Sequence, residues 1–92
     1  MITKRKRLGK VHVTFVQPPA DEDVYVSGTF NDWIAEPLKP AKDGTLRATV
    51  SAAPGDVIEF RYVTASGHWF DDDQVDELVD NDQGSTNGLL KI

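Results

Sequence analysis

Two tryptophans are the residues of this sequence best suited to contact a ligand. Trp33 follows Asn31–Asp32, and Trp69 follows Gly67–His68, so each indole ring stands at a predicted turn among polar neighbours. A ring placed there favours a flat, partly apolar ligand that covers it. The alternative is that both rings anchor the core, as Trp often does in small β-sandwiches. We expect at least one exposed ring, because Val, Leu, Phe and Tyr already supply the inward positions.

Two exposed rings suit a sugar. A pyranose has an apolar face of C–H groups that stacks on an aromatic ring, and its rim of hydroxyl groups requires hydrogen bonds. A repeating glucan offers many equivalent sites, so that individually weak contacts gain strength through multivalency. The two tryptophans therefore predict a carbohydrate-binding surface.

The sequence offers little for catalysis. Its only histidines, His12 and His68, fall on different predicted strands, and no Ser, His and acid cluster follows from their spacing. Carboxylate pairs are plentiful, but in an acidic surface loop they are weak support for glycosidase chemistry. We therefore expect a protein that is not an enzyme and that needs no cofactor.

An acidic segment runs from Asp71 to Asp82. Its carboxylates could ligate calcium, and the piece Asp80–Gly84 faintly resembles a calcium-binding loop. The spacing of a complete calcium loop with its distal Glu is missing, however. The favoured interpretation is a solvated acidic loop without a metal site.

Composition and charge define the broad class. The chain has 92 residues and no Cys, and its formal net charge is -5. This length suits one small domain, which we divide into a basic N-terminal tail (residues 1–10) and a folded module (residues 11–92). No apolar run has the length of a membrane span, and no apolar segment of a signal peptide follows the basic start. Together with the absence of Cys, this predicts a cytoplasmic protein.

The charges are divided unevenly along the chain. Residues 1–10 hold half of the basic side chains, so from residue 11 onward five positive charges face fifteen negative ones. Such a surface repels phosphate backbones. The basic start could be an arm for nucleic acid or a membrane, but a short solvated tail is the commoner meaning. We expect neither nucleic acid nor a membrane as a partner.

Alternating apolar residues predict an all-β fold. Val11, Val13 and Phe15 alternate with His12, Thr14 and Val16, as in a half-buried strand. Other segments repeat this period of two, and in one of them Ile58, Phe60 and Tyr62 share a face. Turn signals such as Asp43–Gly44 separate the segments. About seven short strands in an antiparallel β-sandwich are predicted. The predicted segments are Val11–Val16, Val24–Val26, a piece around Leu38, Thr45–Ser51, Val57–Val63, His68–Phe70 and Gly88–Ile92.

Four motifs in order resemble one known family. They are Val26-Ser27-Gly28-Thr29-Phe30-Asn31-Asp32-Trp33, Phe60-Arg61-Tyr62, Gly67-His68-Trp69 and Gly84-Ser85-Thr86-Asn87-Gly88. This order resembles the family 48 carbohydrate-binding modules, which are the glycogen-binding domains of AMP-activated protein kinase beta subunits and related early-set domains of branching and debranching enzymes. The resemblance covers residues 11–92. It implies an immunoglobulin-like β-sandwich that binds α-1,4-linked glucan such as glycogen, starch or maltooligosaccharide.

The resemblance also implies roles for individual residues. Trp33 and Trp69 match the two stacking aromatics, and Arg61 matches a basic residue that hydrogen-bonds sugar hydroxyls. Polar contacts are implied for Asn87 and Ser85. At Gln83 the kinase-type modules carry an apolar residue, so this sixth contact is expected to be weaker or polar. Many family members have lost the sugar site and pack on an enzyme, so the alternative is a regulatory domain that docks on a glycogen-metabolising enzyme or kinase.

Overall fold

The computed structural model describes residues 1–92 and is built almost entirely from antiparallel strands. Seven of its ten strands have four or more residues, and the only helical element is a single 3₁₀ turn, Thr29–Asn31. No helix in the chain has the length and apolarity needed to cross a membrane. The strands are β1 (Ile2–Arg7), β2 (Lys10–Gln17), β3 (Val24–Gly28), β4 (Glu36–Pro37), β5 (Lys39–Pro40), β6 (Leu46–Ala52), β7 (Val57–Thr64), β8 (Trp69–Phe70), β9 (Glu77–Asp80) and β10 (Thr86–Lys91).

The strands form two sheets that pack as a sandwich. One sheet has the order β1-β2-β6-β5, and the other has the order β4-β3-β7-β10-β9, with β8 paired to the far half of β7. This arrangement confirms the predicted all-β, immunoglobulin-like sandwich. The longest strand of the second sheet, β7, is paired with β3 on one side and with β10 and β8 on the other.

The core lies between the two sheets and follows the predicted alternation. Phe15 from one sheet contacts Phe60 and Tyr62 from the other, with ring centroids 4.7 and 6.4 Å apart. All three side chains are fully buried. Because inward residues alternate with outward ones, burial of Phe60 and Tyr62 places Arg61 on the outer face of β7. The buried core consists of Val11, Val13, Phe15, Val24, Val26, Leu38, Ala48, Ile58, Phe60, Tyr62 and Leu90.

The basic start of the chain is a strand and not the solvated tail that we expected. β1 pairs with β2 over its whole length, from Ile2 opposite Phe15 to Arg7 opposite Lys10. Its side chains beyond Ile2 are exposed. A run of Lys and Arg resembles a tail in composition, but the backbone hydrogen bonds of an edge strand do not depend on apolar side chains.

The acidic segment 71–82 is also more ordered than the predicted loop. Glu77–Asp80 forms β9, which pairs with β10. Asp72 is buried, where it accepts a hydrogen bond of 2.7 Å from the Tyr62 hydroxyl. Burial and this hydrogen bond raise the pKa of Tyr62 well above its ordinary value. No three His, Asp or Glu side chains of the chain group together as metal ligands would.

Candidate functional site

One open groove on the outer face of the six-stranded sheet brings together all six residues that the sequence suggested. The groove has a volume of about 540 Å³. Trp33 and Trp69 are its two hydrophobic residues, and they are 41% and 45% exposed. This exposure excludes the alternative that both rings are core anchors. The lining residues are Trp33, Arg61, Trp69, Asn81, Asp82, Gln83, Ser85 and Asn87.

A tight turn after β3 presents Trp33. The backbone N–H of Trp33 donates to the carbonyl oxygen of Gly28 at 2.9 Å, which closes the turn around Thr29–Asn31. Asp32 and Trp33 both have left-handed backbones, with φ values of 54° and 62°. A positive φ is uncommon for a bulky residue, and such strain often marks functional sites. Asn31 braces the turn, because its side chain accepts from Gly28 N–H and donates to the carbonyl of Ile34.

Gly28 allows this turn to lie directly against β7. A Cβ at position 28 would stand 2.5 Å from the backbone oxygen of Glu59 and 2.8 Å from atoms of Phe30 and Phe60. The backbone of Gly28 is extended, with φ of -168°, so that space rather than conformation requires glycine here. Phe30 packs against the core and stacks on Phe15 at 5.6 Å. The turn is therefore anchored through Phe30, while Trp33 remains at the surface.

The hairpin between β7 and β8 presents Trp69. Trp69 lies opposite Val63, and the next residue, Phe70, faces inward and packs 5.2 Å from Tyr62. Side chains alternate along a strand, so Trp69 faces outward. The hairpin is held to the loop between β2 and β3 by Glu22, which accepts hydrogen bonds of 2.9 Å from the backbone N–H and the hydroxyl of Ser66. These hydrogen bonds lower the pKa of Glu22.

Arg61 occupies the floor of the groove and is held in place. Its Nε donates to Asp71 Oδ1 at 3.1 Å, and Asp71 Oδ2 accepts from the Thr86 hydroxyl at 2.7 Å. Both partners of this ion pair are largely buried. The guanidinium carbon lies 6.0 Å from the centroid of the Trp69 ring, which is within the range of a cation–π interaction. The two terminal nitrogens form no hydrogen bond within the chain, so they can donate to a ligand.

Asn87 is also oriented by its neighbours. Its side-chain amide donates to Glu59 Oε1 at 3.3 Å, and its carbonyl oxygen accepts from Asn81 Nδ2 at 3.2 Å. Asn81 closes the turn between β9 and β10, because its side-chain oxygen accepts from the backbone N–H groups of Gln83 and Ser85. This turn brings the exposed side chains of Gln83 and Ser85 to the rim of the groove.

Sequence reasoning missed two groups of residues around the groove. Asn81 and Asp82 line it, and Glu59, Asp71 and Thr86 orient its polar side chains. A signal was present for Asn81, since Asn three residues before Gly is typical of a side-chain-closed turn. The interpretation of residues 71–82 as a solvated loop concealed the partner of Arg61.

The groove is equipped for binding. Two half-exposed indole rings supply stacking surface, and fixed polar side chains supply hydrogen bonds from the floor and the rim. Neither histidine belongs to it, because His12 lies on β2 and His68 stacks on Phe70 at 5.9 Å. Comparison with known proteins adds no identification, since the chain matches no protein-family model and no curated protein.

Proposed function

We propose that this protein is a non-catalytic module of the family 48 type that binds α-1,4-linked glucan, such as glycogen, starch or maltooligosaccharide. The observation that carries the proposal is the meeting of Trp33 and Trp69 at one open groove above a fixed arginine. Two rings separated in sequence by the four strands β4 to β7 converge on the same surface. Such convergence fits a ligand with several apolar faces, which is the character of a glucan chain.

The polar residues have distinct roles in this proposal. Arg61 donates from its terminal nitrogens to sugar hydroxyls, while Asp71 holds its Nε. Asn87 is fixed between Glu59 and Asn81, so little side-chain entropy is lost when it binds a hydroxyl. Ser85 and Gln83 lie exposed on the rim, where they make weaker contacts.

The affinity expected for one groove is modest. Burial of both rings contributes several kcal/mol in gross terms, but loss of ligand freedom offsets much of it, which leaves a Kd of about 10 µM to about 1 mM. A branched polysaccharide compensates through many equivalent sites. The proposed role is attachment to a polymer in the cytoplasm, alone or beside a glycogen-metabolising enzyme.

Titration of the intrinsic fluorescence tests this function. Both tryptophans of the chain line the groove, so glycogen or a cyclic maltooligosaccharide should change the emission and slow the protein in a glycogen-containing gel. Linear, branched and cyclic glucans compared in the same titration define the preferred shape. The absence of both effects at millimolar sugar would refute glucan binding, and hydrolysis of glucan by the pure protein would refute the non-catalytic role.

One observation favours the alternative of a protein-docking domain. Ile34, next to Trp33, is 70% exposed, so the apolar surface extends beyond the groove. A partner enzyme would cover Ile34 and Trp33 together, whereas a sugar in the groove would leave Ile34 free. An Ile34→Ala variant that keeps full glucan affinity supports the glucan site. Docking is supported if the wild type does not bind glucan but binds an enzyme partner, and Trp33→Ala loses that partner.

A further inference from the structure

The four-stranded sheet, opposite the groove, holds most of the positive charge of the chain. Its strands contain seven of the ten Lys and Arg residues of the chain and none of the fifteen Asp and Glu residues. An uneven distribution of this kind creates a local positive potential on a protein whose net charge is negative. The cations are Lys4, Arg5, Lys6, Arg7, Lys10, Lys39 and Arg47.

Most of this charge is concentrated at one end of the sheet and is unpaired. Arg47 forms an ion pair with Asp43, and Lys4 donates to the carbonyl oxygen of Lys91. In contrast, the four cations of the basic hairpin, which we define as residues 5–10 at the turn between β1 and β2, form no ion pair. Asp56, a carboxylate in the turn after the neighbouring strand β6, accepts a hydrogen bond of 2.9 Å from the backbone N–H of Ala53. It forms no ion pair with these cations.

The tip of the basic hairpin carries an apolar residue that folding does not explain. Leu8 is 95% exposed and has a φ of 52°, followed by Gly9 with a φ of 78°. A two-residue turn with two positive φ values favours Asn-Gly, whereas Leu at the first position is strained. A strained, fully exposed Leu between Arg7 and Lys10 points to a contact outside the chain.

We propose that the basic hairpin docks on an anionic lipid surface, with Leu8 inserted into the headgroup region. Cations on a polar surface are attracted to anionic headgroups, and an apolar side chain at the tip gains burial at the acyl boundary. Protection of an edge strand from aggregation accounts for Lys4 and Lys6. It does not account for an exposed Leu8 or for Arg7 and Lys10 flanking it.

This inference replaces the expectation that a membrane is not a partner. That expectation treated residues 1–10 as a short solvated tail. Cations on a tail lose conformational freedom when they bind. In the sheet, pairing of Arg7 with Lys10 already fixes the hairpin backbone. Less freedom is therefore lost when the hairpin contacts a flat surface.

Co-sedimentation of the full chain with lipid vesicles tests the proposal. One set contains phosphatidylcholine alone, and the other contains about 30% phosphatidylserine. We expect binding to the second set only, weakened by added salt. Arg7→Gln should lower the partition coefficient about fivefold and Leu8→Asn about tenfold. Asn suits a positive φ, so Leu8→Asn preserves the turn.

Two matched variants control for charge and for apolar surface. Lys42→Gln removes a cation that lies outside the strands of the sheet, and Ile34→Asn removes an exposed apolar residue of the other sheet's loops. Both should partition as the wild type does. Equal partition into neutral and anionic vesicles, no binding at low salt, or equal effects of hairpin and control variants would overturn the proposal. Binding to soluble heparin or DNA without binding to vesicles would assign the surface to a polyanion instead.

Discussion

Replacement of either tryptophan by alanine gives the most direct measure of the groove. Trp33 and Trp69 are 41% and 45% exposed. Because a Trp side chain presents up to about 250 Å², about 100 Å² of each ring is open to a ligand. At about 25 cal/mol per Å², covering that area contributes up to about 2.5 kcal/mol. Trp33→Ala and Trp69→Ala should each weaken glucan binding by about 1–3 kcal/mol, a rise in Kd of about fivefold to about 150-fold.

The assay uses the chain's own fluorescence. Because the chain has two tryptophans, each single variant retains one ring of the groove as its reporter. If one sugar chain spans both rings, the remaining Trp responds to the same ligand at a higher concentration. Calorimetry with the same ligand checks the Kd independently of the fluorescence signal. The double variant, which has no Trp reporter and is therefore measured by calorimetry, should show no measurable binding at millimolar sugar.

Two controls separate lost contact from lost fold. Ile34→Ala removes a more exposed apolar side chain beside Trp33, but outside the groove, so its Kd should change less than about twofold. Urea unfolding should show that each Trp variant loses less than about 1 kcal/mol of stability, as is usual for surface substitutions. A Trp33→Ala protein that is folded and binds glucan like the wild type would refute the assignment of Trp33 as a residue that stacks on the sugar.

Three further predictions address the surroundings of the groove. Asp71→Asn should raise the Kd for glucan about fivefold, because Arg61 loses its charged partner. Calorimetry should find no further loss of affinity when Arg61→Gln is added to Asp71→Asn. Fully additive losses of binding free energy would contradict this coupling. Gly28→Ala should lower the unfolding free energy in urea by about 3 kcal/mol through overpacking. The control Gly84→Ala should lower it by about 1 kcal/mol, since only the positive φ is strained there. Equal losses would contradict the close approach of Gly28 to β7. Burial raises the pKa of Tyr62, so the stability that its neutral hydroxyl contributes is complete below pH of about 10 and is lost as the pH rises further. The phenolate absorbance of Tyr62 should therefore appear together with unfolding in a pH titration. Phenolate absorbance that appears before unfolding in the wild type and not in Tyr62→Phe would contradict this.

The period of two was sufficient to predict most of the fold. Val13, Phe15, Phe60 and Tyr62 were expected to face inward, and all four are buried. This success has a physical reason, since burial of one face of a sheet imposes alternation on the sequence. β1 was missed because Lys and Arg occupy an edge strand in which backbone pairing supplies the order.

The groove was predictable in its aromatic part and less so in its polar part. Trp33, Trp69 and Arg61 stand out by residue type, and turns or alternation place them at the surface. The partners of Arg61 and Asn87 could not be read from the sequence. Asp71 and Glu59 depend on how β7, β8 and β10 meet in three dimensions, which local patterns do not specify.

The two surfaces proposed for binding belong to different sheets of the sandwich. The groove is built on the six-stranded sheet, and the basic hairpin belongs to the four-stranded one. The groove lies on the outer face of its sheet, and the basic hairpin lies at one end of the other sheet, so the two surfaces share no residue. Substitutions in the groove and in the basic hairpin share no contact partner, so their free-energy effects should add. Each proposed contact, with glucan and with lipid, can therefore be strengthened or weakened by substitutions that leave the other unchanged.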